Sequence, residues 1–319
     1  GITYPALQRL IILWAPPVER PKFITALLGN VVGTCVTWPL VGLITEKFGY
    51  EWGFHFVSIE IVVFCIAFLI VTTARDGPSN NKWISSEEVE FISNAQALAP
   101  PAKKVKPPYK DMMRSSAFWI LAICHFGNVW GLNLQLLGVP KLLSEVLGFN
   151  LVRTGIFSAL PQFTRVSFGL FFGVIGQFLR VRNDRSCIRK SFTVASHILP
   201  GISLICISFI GCKYVIIVVL LTICLSLNGA VAITALSNTN DLSPNFDQAI
   251  FGLINCFGVT TGFITPLITG VLISKHNGIA EWGWNFIIAG CVYIFCGLIF
   301  IIFGTSKEQK WNAYTGDKT

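Results

Sequence analysis

The sequence predicts an all-α, polytopic membrane protein, and three observations carry that prediction. Charged residues make up only 13% of the 319 and apolar residues 53%, whereas a soluble domain is nearer a quarter charged. Mean hydropathy is +0.65, and apolar runs of helix length alternate with short polar segments. The lysines and arginines are unevenly placed. They concentrate in residues 14–23, 73–116, 179–190 and beyond 305, while only Lys47, Lys141, Arg153, Lys213 and Lys275 fall in the alternate loops. That bias puts the first set in the cytoplasm.

Several function classes recede on the same grounds. The net charge of +8 sits beside membrane spans, so it points to lipid headgroups and not to a nucleic acid. Most of the ten cysteines lie in apolar spans, where they act as small hydrophobes. No C-x-x-C pair suggests a metal or redox site. G-x-x-x-x-G-K-[ST], H-E-x-x-H and G-x-S-x-G are all absent, which argues against an ATP-driven pump or a hydrolase. No cofactor is expected, and the chain is not read as an enzyme.

Residues 1–13 read as the end of a helix, with Tyr4 inside it and Arg9 close enough to the boundary to snorkel. Because the chain opens on Gly1 within an apolar run, an incomplete chain is expected. W-A-P-P-V-E-R-P at 14–21 is a turn stopped by its prolines, with Glu19 and Arg20 as its charged face. Residues 24–45 form the next span. Gly29 and Gly33 give it a small-xxx-small face, repeated by Pro39 and Gly42, so another helix should pack closely there.

G-I-T-Y-P-A, then W-A-P-P-V-E-R, then P-L-V-G at 39–42 together resemble the anion transporters of solute carrier family 17. That family includes the type I phosphate cotransporters, sialin and the vesicular glutamate transporters, within the major facilitator superfamily. The resemblance extends over essentially the whole chain and is strongest to the phosphate-cotransporter and sialin side, invertebrate members especially. It implies twelve helices in two six-helix halves, with this chain running from the end of the fourth helix through the twelfth. Residues 1–72 would complete the first half, 73–116 would link the halves, 117–305 would form the second half and 306–319 a cytoplasmic tail. The implied activity is alternating-access transport of a small anion, driven by sodium or protons, by a monomer in the plasma membrane or a vesicular or lysosomal membrane. Tyr4 belongs to the G-x-T-Y-P-A segment and joins the candidate substrate-binding residues.

Residues 54–71 are a clean apolar span. Within the linker, residues 83–96 read as a short helix, because Ser85 and Glu88 have capping-box spacing and Val89 and Ile92 share a face. The span 117–139 carries His125, Asn128 and Gln135 on one helical face. A polar stripe on a membrane helix points into the bundle, serving either a substrate or helix–helix hydrogen bonds. Asn128 stands where the vesicular glutamate transporters carry an arginine, which argues against that branch.

Residues 153–180 hold the feature around which the spans are arranged. Arg165 lies near the middle of a helix long enough to cross the bilayer. A guanidinium at that depth costs at least about 2.5–3.5 kcal/mol, so it needs a partner or a wet cavity. Pro161 cannot donate to the carbonyl of Phe157 and loosens the helix beside Gln162 and Thr164. Arg165 either binds the substrate anion or pairs with a helix carbonyl or an acid. Gly169 and Gly173 should allow close packing. Gln177 stands where the family usually has an acid.

Residues 191–211 contain His197, read as a hydrogen-bonded core residue. Residues 214–237 lead into S-N-T-N-D-L-S-P, which resembles the family's N-x-x-D-I-A-P element. Asn238, Asp241 and Pro244 match it, Thr239 replaces a histidine, and Asp241 at the boundary reads as a loop clasp. In 246–274, Gly252 and Asn255 match the family's G-x-x-N, within a glycine-rich span of the kind from which transporters build sites. Residues 284–304 are the last span. The departures at Thr239 and Gln177 leave open a non-transporting receptor or scaffold.

Overall fold

The computed structural model describes Trp14 and residues 29–72, 84–97, 106–180 and 184–313. Among the described residues there are helices and turns but no strands. In chain order the helices are α1 (Gly29–Phe48), α2 (Tyr50–Thr72), α3 (Ser86–Ala97), α4 (Tyr109–Arg114) and α5 (Ser116–Val146). There follow α6 (Leu151–Arg180), α7 (Arg185–Ile207), α8 (Tyr214–Leu242), α9 (Asp247–Ile273) and α10 (Ile279–Phe303), then a closing 3₁₀ turn, Lys310–Ala313. Six of them, α2, α5, α7, α8, α9 and α10, are long and apolar enough to cross a membrane. The 30 residues of α6 also suffice by length, but Arg153, Gln162 and Arg165 dilute its apolar character. The protein is a multi-pass membrane protein.

The helix ends depart from expectation where local chemistry, not hydropathy, sets them. α5 was expected to stop before Pro140 but continues through it. Wide turns at Leu134–Gly138 and Leu142–Val146 flank the proline, and their longer hydrogen-bond reach absorbs its missing donor. α7 uses the same device at Val194–Ile198, just before Pro200. It begins at Arg185 because Asp184 caps it, accepting from the N–H groups of Ser186 (3.1 Å) and Cys187 (3.4 Å). Between α1 and α2 the chain turns on one residue, Gly49, whose φ of 93° favours glycine. At the start of α3, Ser85 accepts from the Glu88 N–H at 3.2 Å and Ile92 is buried, as the capping-box reading required.

The core lies among α5, α7, α8 and α10, around Trp130, Leu134, Leu204, Leu221, Trp282 and Tyr293. α1 lies against α6. A Cβ on Gly42 would fall 2.6 Å from the carbonyl oxygen of Leu151, and one on Gly155 would fall 2.6 Å from that of Trp38. The close crossing therefore runs through Gly42 and Pro39. Gly33 takes no part in this crossing, with nothing among the described residues within 4 Å of its Cβ position. The stripe of α1 facing α6 is Cys35–Pro39–Gly42–Glu46, and Gly33 is two residues, roughly 200°, away from it. The surroundings of Gly29 lie outside the described residues.

The connections gather at two ends. At one, Ser306 N–H donates to Ser186 (3.1 Å), Gln309 N–H to the Leu242 carbonyl (2.9 Å) and Ser115 to Gln309 (3.4 Å). At the other, Asn277 donates to Glu145 (2.6 Å) and Asn150 to Glu46 (3.2 Å). These are the two sets of segments that the lysine and arginine bias separated.

Candidate functional site

Arg165 continues a polar stripe down α6. Thr154, Ser158 and Gln162 are buried and Arg165 is half-buried. Their spacing of four, four and three residues keeps all four within a quarter-turn. The hydroxyls of Thr154 and Ser158 have no hydrogen-bond partner among the described residues.

Two glycines let Arg165 reach the next helix. A Cβ on Gly229 would lie 2.6 Å from the Arg165 carbonyl oxygen and 2.8 Å from the Gly169 nitrogen. The backbones of α6 and α8 therefore touch there, as Gly169 predicted, while a Cβ on Gly173 would meet nothing within 4 Å among the described residues. Across that contact Arg165 Nε donates to Asn228 Oδ1 at 3.1 Å. Asn228 is fully buried and donates from Nδ2 to Asn128 Oδ1 (2.9 Å) and to the Ser196 carbonyl (3.1 Å). Four helices, α5 to α8, thus meet at one amide. No carboxylate among the described residues pairs with Arg165. Its Nη atoms, and Nδ2 of Asn128, make no hydrogen bond to the described residues.

The face expected to carry His125, Asn128 and Gln135 together is divided. Asn128 turns to α8. Gln135 also turns to α8, donating to Cys224 Sγ at 3.2 Å, with its oxygen unpartnered among the described residues. His125, about 60° round the helix from Asn128, turns to α9. Its Nε2 lies 3.4 Å from Asn255 Oδ1, its ring packs beside Phe251 and against Gly258, and its Nδ1 has no partner among the described residues. His197 is satisfied on both nitrogens, by Ser196 Oγ (2.8 Å) and the Cys124 carbonyl (3.0 Å). Tyr4, Glu19 and Arg20 lie outside the described residues. Sequence reasoning missed Asn228, Thr154 and Ser158. For Asn228 the signal was an amide inside the apolar run L-S-L-N-G.

At the basic end, Asp241 is held by Arg189, which donates from Nε at 2.8 Å and places Nη2 at 2.7 Å. Both side chains are 3% exposed. Arg189 also donates to the Ile233 carbonyl, and Arg185 approaches Asp241 at 3.7 Å. Arg189 is therefore not a headgroup ligand, as the basic run suggested, but the buried half of an α7–α8 clasp. Asn238 donates to the Thr305 carbonyl (3.1 Å) and accepts from Ser306 (2.7 Å). Thr239 donates to Asp247, tying α8 to α9. Among the described residues no group of three His, Cys, Asp or Glu side chains converges to hold a metal ion.

The sequence profile of the Major Facilitator Superfamily matches residues 1–261. The chain belongs to that superfamily. Sialin from Ovis aries is 30% identical over 98% of the chain, and the mouse (Mus musculus) sodium-dependent phosphate transport protein 3 is 29% identical over 93%. Vesicular glutamate transporter 3 from Danio rerio is 26% identical over 98%. These are the branches of solute carrier family 17 that the sequence resembles. The chain spans 63%, 62% and 53% of the respective lengths of these relatives. Within the superfamily's architecture, α5 to α10 supply the Arg165 cluster, the His125–Asn255 pair and the basic-end clasp.

Proposed function

We propose that this chain is the greater part of a secondary active transporter, not an enzyme, that moves a small organic or inorganic anion by alternating access. The observation that carries the reading is the donor-only character of the Arg165 cluster. The guanidinium Nη groups and the Asn128 amide nitrogen have hydrogens to give, and no carboxylate among the described residues takes them. Guanidinium and amide N–H groups suit the oxygens of a carboxylate or phosphate. The unpartnered hydroxyls of Thr154 and Ser158 extend a polar track along α6 away from the basic end. Relatives named for phosphate transport, for glutamate transport and as sialin fit an anion, with sodium or protons as the coupling ion.

Uptake of labelled phosphate, sialate, urate and glutamate by the full-length protein, under sodium and proton gradients, tests the proposal. One of these anions is expected to accumulate, and Arg165→Ala is expected to abolish that at unchanged surface expression. Accumulation that survives the substitution would return Arg165 to a structural role. No accumulation of any anion would overturn the transport reading.

A further inference from the structure

We infer that Asn228 is the positioning residue that makes this site donor-only, turning both Arg165 and Asn128 so that their hydrogens face the substrate. The inference rests on the anion-transport reading and adds a residue to it. Asn228 is buried and uses its whole amide. Oδ1 accepts from Arg165 Nε (3.1 Å), and Nδ2 donates to Asn128 Oδ1 (2.9 Å) and to the Ser196 carbonyl (3.1 Å).

The orientation of that amide is fixed by its partners. A guanidinium only donates and a backbone carbonyl only accepts, so the oxygen must face Arg165 and the nitrogen must face Ser196. Two consequences follow. Arg165 is committed through Nε, which leaves the Nη1–Nη2 edge as its free face, a pair of parallel donors matched to two oxygens of one anion. Asn128 is committed through its oxygen, which leaves its own NH₂ as the free group. One buried amide thus sorts donors from acceptors for two neighbours on two other helices. The contact that permits it is the α6–α8 crossing at Gly169 and Gly229, where a Cβ on Gly229 would meet Arg165 backbone at 2.6 Å.

Replacing the amide by a carboxylate reverses the sorting without changing its shape. In Asn228→Asp both oxygens accept. Arg165 is then neutralised by an ion pair, the Ser196 carbonyl loses its donor and faces an oxygen instead, and Asn128 must rotate to donate, which presents its oxygen to the substrate. The same site becomes poorer in donors and loses its net positive charge.

The test is uptake kinetics in the full-length protein, per unit of surface protein, with whichever of phosphate, sialate, urate or glutamate the wild type accumulates. Asn228→Asp is expected to raise KM at least tenfold, and Asn228→Ala to raise it severalfold. In the Arg165→Lys background, where a cation remains but Nε does not, Asn228→Ala is expected to raise KM by clearly less than in the native background, the remainder being the lost hold on Asn128. Should Asn228→Asp fail to reach the surface, Asn228→Ser, whose shorter hydroxyl offers one O–H in place of the two N–H donors that hold Asn128 and Ser196, is expected to raise KM severalfold. A KM within twofold of wild type for the carboxylate or serine variant would overturn the positioning role while leaving the transport reading intact. So would an alanine effect as large in the Arg165→Lys background as in the native one. Wild type that accumulates none of the four anions would overturn both.

Discussion

Arg165 meets the cost of a guanidinium inside a membrane helix, at least about 2.5–3.5 kcal/mol on insertion scales, with one amide oxygen at 3.1 Å. Arg165→Met removes that cost but leaves the buried Asn228 oxygen unpaired, at about 1–3 kcal/mol, so the variant is expected to melt close to wild type in detergent while losing uptake. The Asp241–Arg189 pair behaves in the opposite way. Both partners are 3% exposed, and removing one leaves an uncompensated buried charge. Asp241→Ala is therefore expected to cost about 3–5 kcal/mol, read as a large fall in melting temperature or in surface expression. Gly229 is a third case. Its Cβ position lies 2.6 Å from Arg165 backbone, so Gly229→Val must push α6 from α8, at about 1–3 kcal/mol, and should weaken substrate affinity through the displaced Arg165–Asn228 bond.

At the scale of elements, the contact between α1 and α6 is closed by a carboxylate. Glu46 accepts from the Val152 N–H and from Asn150, each at 3.2 Å, at the N-terminus of α6, where a negative charge is favoured by about 0.3–1 kcal/mol. If this bond must break whenever the two helices part, Glu46→Gln alters the maximal rate of uptake and leaves KM within twofold. An altered KM with an unchanged rate would show that the contact does not limit the cycle. The spans themselves were legible because apolar length is enough to mark them. Their ends were not, since Asp184 and the wide turns around Pro140 and Pro200 act through backbone hydrogen bonds that hydropathy does not register. In the site, Arg165 and Asn128 stood out as polar groups that lipid would penalise. Thr154 and Ser158 did not, because membrane-helix hydroxyls commonly satisfy themselves on the preceding turn, as Ser203 does on Leu199 (2.9 Å) and Thr222 on Val218 (2.7 Å). The grouping of His125 with Asn128 failed for a geometric reason: three residues along α5 turn a side chain from α8 to α9.

For the molecule as a whole, the distribution of lysine and arginine separated the loops that the fold gathers at opposite ends, and the Arg165 cluster lies between those ends. The basic end is cross-linked by Asp241, Asn238 and the Asn312 contacts to Ser243 and Asn245. The cluster itself keeps unpartnered donors. A bound anion would supply the acceptors that the described protein lacks, and the folded state should be stabilised by it accordingly. The most direct measurement is the melting temperature of the purified full-length protein with and without its transported anion, in wild type and in Arg165→Met. At a hundredfold excess over Kd, binding stabilises by about 2.7 kcal/mol. A clear upward shift is expected in wild type and none in the variant. An equal shift in both would contradict Arg165 as the anion's partner.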